Sequence, residues 1–359
     1  MIKLIKPYIS FDEVQEDFKD IFESGWFTKG KFVDQFRNEI KNYTDASYAY
    51  LTTSATTALT MALKALDIKA SDEVIVSDFS FPATANVVED LGAIPVFADV
   101  CLDTFNMTPE QLEAKITSKT KAVIFVDALG NPSGIHDIKE ICKKNNLPLI
   151  EDGACAIGSS ENSIRCGNIA DITCFSFHPR KLLTTGEGGA VTFNDEKYVE
   201  FFDIKLNHGA KVTDGKFDFI DYGYNYRVSE LQCVMGIKQL QKLNSIVDSR
   251  NKIREEYIKA LEPLGFKVQN LSNSIVYNVQ SLVFKVPMNT NRDELIKFLK
   301  ENNVETTIGT YCLSGTTYYK NKYNDVQSNA MYLEENTITF PCYEGVNIGY
   351  IVEKINEYK

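Results

Sequence analysis

Short apolar segments alternate with longer amphipathic segments over roughly the first two thirds of the chain. The short segments are rich in β-branched residues, which favours strands, whereas the longer ones repeat their apolar positions every three or four residues, which favours helices. The predicted strands are residues 73–77, 94–98, 122–126, 148–151, 172–177 and 190–193. The predicted helices are residues 55–66, 82–91, 108–115, 135–145 and 229–243.

This alternation predicts an α/β fold in which helices flank a mostly parallel sheet. The pattern changes after the fifth helix. A helix over 249–261, an alternating segment over 274–286 and a helix over 292–302 predict a smaller C-terminal α+β domain. We therefore expect a large domain of residues 1–248 and a small domain of residues 249–359.

Composition narrows the classes of partner. The net charge is −11, and no run of lysine and arginine makes a basic patch, so we expect neither nucleic acid nor a membrane as partner. The eight cysteines show no CxxC spacing, so we expect reduced thiols and no bound metal. We see no signal peptide and no apolar run long enough to span a bilayer, so we expect a cytoplasmic protein.

One lysine lies between two apolar runs in the segment FSFHPRKLLTTGEGGAV, residues 175–191. A lysine condenses with an aldehyde when its amine can lose a proton, which a site of low water content favours. The glycines that follow let the backbone run close to a ligand. An isolated lysine in a turn is more often a surface residue. Here the apolar flanks favour Lys181 as a reactive amine.

An aspartate ends a predicted strand in LIEDGACAIG, residues 149–158. In open α/β sheets, ligands bind at the carboxyl ends of the strands. A carboxylate there can keep a pyridinium nitrogen protonated, so that the ring accepts electrons. Helix capping explains Asp152 equally well when this segment is taken alone.

Two further segments suggest the other parts of a cofactor site. Hydroxyl residues crowd the helix start in LTTSATTALTMALKAL, residues 51–66, where free N–H groups favour a phosphate, although capping needs only one of them. Phe81 follows a strand and could stack on a flat ring, although a core phenylalanine is the more frequent case. Reactive lysine, carboxylate, phosphate site and aromatic together describe pyridoxal 5′-phosphate (PLP).

Several motifs carry a resemblance to a known family over about residues 20–245. They are ESGWFTKGKFVDQFRNEI, SATTALTMALKAL, SDEVIVSDFSFPAT, EDGACAIGS, FSFHPRKLLTTGEGGAV and YGYNYRVSELQ. With them the chain resembles the DegT/StrS-type aminotransferases, which are PLP-dependent enzymes of fold type I and mostly aminate nucleotide-linked keto sugars. The resemblance implies that fold, PLP as cofactor, and a homodimer whose active sites are built from both chains.

The resemblance also implies roles for single residues. Lys181 matches the Schiff-base lysine, and Asp152 matches the partner of the pyridine nitrogen. Phe81 matches the aromatic residue that stacks on the ring. The residues that match phosphate contacts are Ala55, Thr56, Ser176 and, reaching the cofactor of the neighbouring subunit, Asn225.

The chain departs from the family at four places. Ala55 stands where glycine is usual, and Cys155 stands near the ring hydroxyl where glutamine or histidine is common, although packing alone also explains a cysteine there. Asp127 stands where histidine is frequent, and residues 306–319 lack the usual Pro-x-His. The last three lie where substrate would bind.

We therefore expect an aminotransferase that moves an amino group from L-glutamate to a nucleotide-linked keto sugar, for surface polysaccharide or glycoconjugate biosynthesis. A smaller phosphorylated ketone, such as a triose phosphate, is the alternative acceptor. A PLP lyase or dehydratase and a non-catalytic PLP-binding regulator are the other readings that the sequence leaves open.

Overall fold

The computed structural model describes residues 1–271 and 274–358. Its strands are, in chain order, β1 (Tyr48–Thr52), β2 (Glu73–Ser77), β3 (Phe79–Ser80), β4 (Ile94–Ala98), β5 (Thr120–Val126), β6 (Leu149–Asp152), β7 (Ser160–Glu161), β8 (Ile164–Arg165), β9 (Ile172–Ser176), β10 (Gly189–Phe193), β11 (Ala210–Thr213), β12 (Lys216–Phe219), β13 (Lys267–Val268), β14 (Ile275–Val276), β15 (Leu282–Lys285), β16 (Thr307–Ile308), β17 (Tyr311–Cys312) and β18 (Thr337–Phe340).

The α-helices of these described residues are α1 (Gln15–Ser24), α2 (Lys31–Thr44), α3 (Ala55–Ala65), α4 (Ala83–Asp90), α5 (Pro109–Glu113), α6 (Ile135–Lys144), α7 (Val199–Lys205), α8 (Glu230–Leu240), α9 (Leu243–Leu261), α10 (Arg292–Glu301), α11 (Thr317–Tyr323), α12 (Ser328–Asn336) and α13 (Ile348–Glu357). Within the described ranges, every helix is too short or too polar to cross a bilayer.

The main sheet has the strand order β1-β10-β9-β6-β5-β2-β4. Neighbouring strands from β9 to β4 run parallel, and β10 runs antiparallel to both of its neighbours. Every residue of β9 and of β10 is buried, as expected when helices cover both faces of a sheet. The predicted α/β fold with a mostly parallel, helix-flanked sheet is therefore confirmed.

The predicted strands all occur, with ends shifted by at most two residues. Strand β1 was missed, although its alternation of tyrosine with smaller residues is a strand pattern. The predicted helix 249–261 begins earlier, at Leu243.

A second core lies in the C-terminal part of the chain. The sheet β13-β15-β18-β16 packs with α9, α10 and α13 around buried side chains such as Phe284 and Phe340. Helix α9 reaches both cores, because Val247 packs in the large-domain cluster whereas Ile253 and Tyr257 pack in this one. The predicted boundary between residues 248 and 249 falls inside this continuous helix and stays a prediction.

Two short ladders join the C-terminal part to the large domain. Strand β17 pairs antiparallel with β3, and β14 pairs with β7. These ladders place residues of the small domain opposite the carboxyl ends of β5, β6 and β9. A cleft lies between the two sides.

Candidate active site

The cleft has a volume of about 530 Å³ and brings together most of the site residues that the sequence predicts. Asn225 does not line it and is exposed on this chain. The predicted residues that line the cleft are Ala55, Thr56, Phe81, Asp152, Cys155, Ser176 and Lys181. The opposite wall is formed by residues 4–6 of the N-terminal segment and residues 307–311 of the small domain.

Lys181 projects from the loop between β9 and β10. Its Nζ lies 3.1 Å from the Sγ of Cys155, and the lysine is partly buried. Gln280 of the small domain fixes this loop, because its Oε1 accepts from the Leu182 N–H at 2.6 Å and its Nε2 donates to the Arg180 carbonyl at 2.8 Å. The amine is therefore held at one point of the cleft. Cys155 contacts this amine, and its role in cofactor binding stays a prediction.

Asp152 ends β6 and is 5% exposed. Thr84 Oγ1 donates to its Oδ2 at 2.7 Å, and the Ala154 N–H donates to its Oδ1 at 3.3 Å. Burial raises the pKa of this carboxyl above its ordinary value, while the two hydrogen bonds and the charge of Lys181 oppose that rise. A cation placed against Asp152 would favour its ionised form.

The start of helix α3 forms one end of the cleft. Ser54 caps the helix by accepting from the Thr57 N–H at 3.1 Å. The N–H groups of Ala55 and Thr56 have no acceptor among the described residues. At Gly189, an added Cβ would lie 2.5 Å from the Ser54 carbonyl carbon, so glycine lets β10 approach the helix start. Two free donors at a helix N-terminus form a site for a phosphate.

Phe81 stands at the same cleft and is 65% exposed. Its ring meets Tyr311 edge to face at 6.2 Å between centroids. The explanation of Phe81 as a core residue is therefore wrong for this chain, because the ring is not buried. An exposed ring beside a cleft is available to stack on a flat ligand.

Two carboxyl groups lie buried at the floor of the cleft, which Asp127 lines. Asp127 follows β5, and neither of its side-chain oxygens has a hydrogen-bond partner among the described residues. Glu151 Oε2 accepts from Thr173 Oγ1 at 2.6 Å and from the Gly167 N–H at 3.1 Å. One ligand atom each of Asp127, Glu151 and Cys166 lies within 4.8 Å of the others.

Sequence reasoning missed several residues that position this site. Thr84 lies inside the quoted segment SDEVIVSDFSFPAT, so its hydroxyl could have been noticed three residues after Phe81. Gln280 had no local signal, because the backbone that it holds lies a hundred residues earlier in the chain. Lys6 and Arg180 also line the cleft, but neither belongs to a pattern that marks a site.

Comparison with known proteins identifies the family. A sequence model of the DegT/DnrJ/EryC1/StrS aminotransferase family matches residues 9–356. The chain belongs to this family. It is 33% identical over 309 residues to the GDP-perosamine synthase of Vibrio cholerae, with 85% of this chain and 84% of the relative covered. It is 31% identical to the spore coat polysaccharide biosynthesis protein SpsC of Bacillus subtilis, with 95% of this chain and 92% of the relative covered.

The fold has a counterpart among solved structures. Spr1654 from Streptococcus pneumoniae in its PMP form superposes with a TM-score of 0.93 at 26% identity, covering 99% of this chain and 98% of that chain. The same protein has been solved in a PLP form. The chain is a PLP-dependent aminotransferase of this family.

The residues of the cleft fit this cofactor. When bound, PLP supplies an aldehyde that condenses with amines and a ring that accepts electrons. Lys181 offers the amine, Asp152 offers a carboxylate for a ring nitrogen, and the free N–H groups at the start of α3 offer a phosphate site. Phe81 offers an exposed aromatic face.

Proposed function

We propose that this aminotransferase moves an amino group from L-glutamate to a nucleotide-linked keto sugar, in a pathway that builds surface polysaccharide or glycoconjugate. The observation that carries the proposal is the charge at the cleft. Lys6 and Arg180 are exposed, line the cleft and form no ion pair with any described residue. Two unpaired cations beside a reactive amine suit the diphosphate of a nucleotide sugar.

A third cation, the buried Arg250, adds to the positive charge of the cleft. The guanidinium of Arg250 lines the cleft, is buried and donates to the carbonyls of Val279, Gln280 and Cys342. Carbonyl oxygens satisfy its donors without cancelling its charge, and no carboxylate among the described residues pairs with it. The exposed carboxylate at this cleft, that of Glu187, lies 4.0 Å from His178.

The names of the relatives support the same acceptor class. One relative is a GDP-perosamine synthase and another takes part in spore coat polysaccharide biosynthesis. Both observations favour a nucleotide-linked sugar over a smaller phosphorylated ketone. A triose phosphate is small for a cleft of about 530 Å³, whereas cofactor and sugar nucleotide together need a large one.

In this proposal the chain's own groups do the following work. The amine of Lys181 would hold the cofactor and, once released, would take up and return a proton at the α-carbon of the amino donor. Asp152 keeps a proton on the ring nitrogen, and the hydrogen bond from Thr84 keeps Asp152 oriented. Gln280 ties the loop that carries Lys181 to the small-domain side of the cleft.

The test is an acceptor screen with the PLP-loaded enzyme. L-glutamate is supplied with keto sugars linked to UDP or GDP, and in parallel with a triose phosphate. We expect stoichiometric 2-oxoglutarate and an aminated sugar nucleotide by mass spectrometry. Turnover of the triose phosphate alone would contradict the acceptor class, and an acceptor converted without glutamate would indicate a lyase or dehydratase.

We further propose that two copies of the chain form a homodimer with shared active sites. The hairpin of β11 and β12 and the segment after it expose large apolar side chains, among them Phe217 at 66% and Phe219 at 61%. Such a patch on a water-exposed hairpin favours a protein partner. Asn225 lies just beyond this hairpin and outside its own chain's cleft, which suits a residue that serves the other copy.

Subunit mixing tests this arrangement. Lys181→Ala and Asn225→Ala homodimers are each expected to be impaired, and a mixed dimer contains one site with both residues intact. Random exchange is then expected to restore about a quarter of the wild-type activity. A monomer in sedimentation analysis, or no recovery although mixed dimers are present, would contradict shared sites.

The cytoplasmic location belongs to the proposal as well. All eight cysteines carry free thiols in the structure, which is the state that a reducing compartment maintains. Fractionation of the source cells is the direct test.

A further inference from the structure

We propose that Asp127 and Glu151 share one proton, carried on Asp127 at neutral pH, and that Asp127 is thereby a positioning residue which leaves Asp152 as the ionised carboxylate of the cleft floor. The proton is taken from solvent as the chain folds, and no other bond changes. This inference does not depend on the identity of the keto acceptor.

The two carboxyl groups leave three buried oxygens without a hydrogen-bond donor in the described part of the chain. Both side-chain oxygens of Asp127 and Oε1 of Glu151 are buried and have no donor among the described residues. An ionised carboxylate only accepts hydrogen bonds, so two ionised groups that face each other cannot satisfy one another. A single proton on one of them supplies the missing donor.

The two carboxyl groups also lie close together. Phe125 of β5 pairs with Glu151 of β6, and Val126 pairs with Asp152, so Asp127 lies at the end of the adjacent strand. Oxygens of Asp127 and Glu151 lie within 4.8 Å of each other in a place without solvent, where each residue is 0% exposed. Two like charges this close in a dry site repel strongly, and one group then takes up a proton.

Glu151 and Asp127 differ in the hydrogen-bond donors that surround them. Glu151 accepts from Thr173 and from the Gly167 N–H, and these bonds favour its ionised form. Asp127 has no such donor. Burial, followed by the charge of Glu151, raises the pKa of Asp127 well above its ordinary value.

The other titratable groups around Asp127 do not reverse this choice. Besides Glu151, the groups with the largest charge effects on Asp127 are Asp152 and Cys155, and Cys166 lies beside the pair; none of these is a cation. Lys181 acts on Asp152. If Asp127 were ionised, the three buried carboxylates of Asp127, Glu151 and Asp152 would repel one another at the cleft floor, and Asp152 would take up the proton instead. A neutral Asp152 could not hold a proton on the ring nitrogen.

A bound cation would satisfy the same oxygens, but the surroundings favour a proton. Cys166 is the third possible ligand, and burial keeps the pKa of its thiol well above the ordinary value. Metal ligation needs the thiolate. Elemental analysis separates the two cases.

The test is infrared spectroscopy of the PLP-loaded enzyme at about pH 8, well above the ordinary pKa of aspartate. We expect the carbonyl stretch of a protonated carboxyl group, which shifts in D₂O and again when the aspartate carboxyl carbons are labelled with ¹³C. Asp127→Asn should abolish the band. Asp78→Asn is the matched control, because Asp78 is also buried but has a pKa of about 6 and is ionised under these conditions.

Stability against pH is the second measurement. A raised pKa in the folded state means that the stability from this group is complete below about pH 4 and is lost as the pH rises towards the folded-state pKa. We expect the unfolding midpoint of Asp127→Asn to exceed that of the wild type at about pH 8 and to fall less between about pH 4 and about pH 8.

Three results would overturn the proposal. The wild-type enzyme could lack the band, the label could leave it unmoved, or the purified protein could contain stoichiometric metal that Asp127→Asn loses. The label and the elemental analysis use the wild-type chain, so the proposal stays testable even if the variant does not fold.

Discussion

The two sides of the cleft are built in different ways. The large-domain side consists of strand ends and a helix start, so that Asp152, Ser176 and Lys181 follow directly from consecutive elements of one sheet. The other side combines the N-terminal segment, Gln280 and residues 307–311, which are far apart in the chain. Short motifs therefore encode the first side, whereas long-range packing creates the second.

This difference separates the chemistry from the recognition of the acceptor. Asp152 stands on a rigid strand end, and Lys181 stands on a loop that Gln280 holds in place, so both side chains keep their positions. The exposed cation Lys6 stands on the assembled side, and Arg180 stands where the lysine loop meets Gln280. Changes on the large-domain side should alter the rate of reaction, and changes at the cations should alter substrate binding.

Lys181→Ala should give the largest effect. Loss of the amine removes both cofactor attachment and proton transfer, so amino transfer should fall by at least about 10³-fold. Borohydride reduction followed by peptide mapping should label position 181 in the wild type only. Circular dichroism checks that the variant is folded, and substantial turnover in a folded variant would refute the assignment.

Asp152→Asn should follow, with a fall in kcat of about 10²-fold, because an amide does not keep the ring nitrogen protonated. Thr84→Val changes the surroundings of the same carboxylate and should have a smaller effect. It removes one hydrogen bond to Asp152 and should cost about tenfold. Equal losses in the two variants would show that Thr84 does more than orient this carboxylate.

Lys6→Ala and Arg180→Ala should act on binding. Each removes a charge that we assign to the diphosphate, so KM for the nucleotide-linked acceptor should rise about tenfold. Lys69→Ala is the matched control, because Lys69 is exposed, pairs with Asp67 and does not line the cleft. An unchanged KM in both cleft variants would contradict the proposed acceptor contact.

The smallest effect should be a pH-dependent change in stability at the junction of the two sides. Asp78 accepts from the N–H and the hydroxyl of Ser314, each at 2.7 Å, and from the Cys312 thiol at 3.2 Å. Burial raises its pKa to about 6 against these donors, with Asp99 adding a small like-charge effect. The stability from this group is complete below about pH 4 and is lost as the pH rises through about 6.

Asp78→Asn removes that titration. The unfolding midpoint of the wild type should therefore fall by a few degrees more than that of the variant between about pH 4 and about pH 7. Calorimetry at several pH values measures the difference. Parallel curves for the two proteins would show that Asp78 titrates alike in the folded and unfolded chains.

The same contrast explains what the sequence could predict. Strands such as β2 and β9 are apolar on both faces because helices cover the sheet, so composition alone marks them. Asp152 ends such a strand and Lys181 lies on the loop that follows another, so the sequence could predict that both residues reach one cleft. The role of Gln280 could not be predicted, because the loop that it holds comes near it only in the folded chain.

Asp127 illustrates an intermediate case. Its departure from the family pattern was visible in the sequence, but its contact with Glu151 depends on the register between β5 and β6. Neither strand reveals which strand is its neighbour or where the pairing begins. Asn225 is another such case, since its proposed role needs a second copy of the chain.

The continuity of α9 through both cores has a mechanical consequence. Because α9 is continuous from Val247 to Ile253, the cleft could narrow around an acceptor only if this helix bent or tilted. One residue inserted between them would rotate the rest of the helix by roughly 100°, out of phase with the two ladders, β14 with β7 and β17 with β3, that hold the small domain at the cleft. The rotational phase of α9 therefore has to agree with the strand pairing of both ladders.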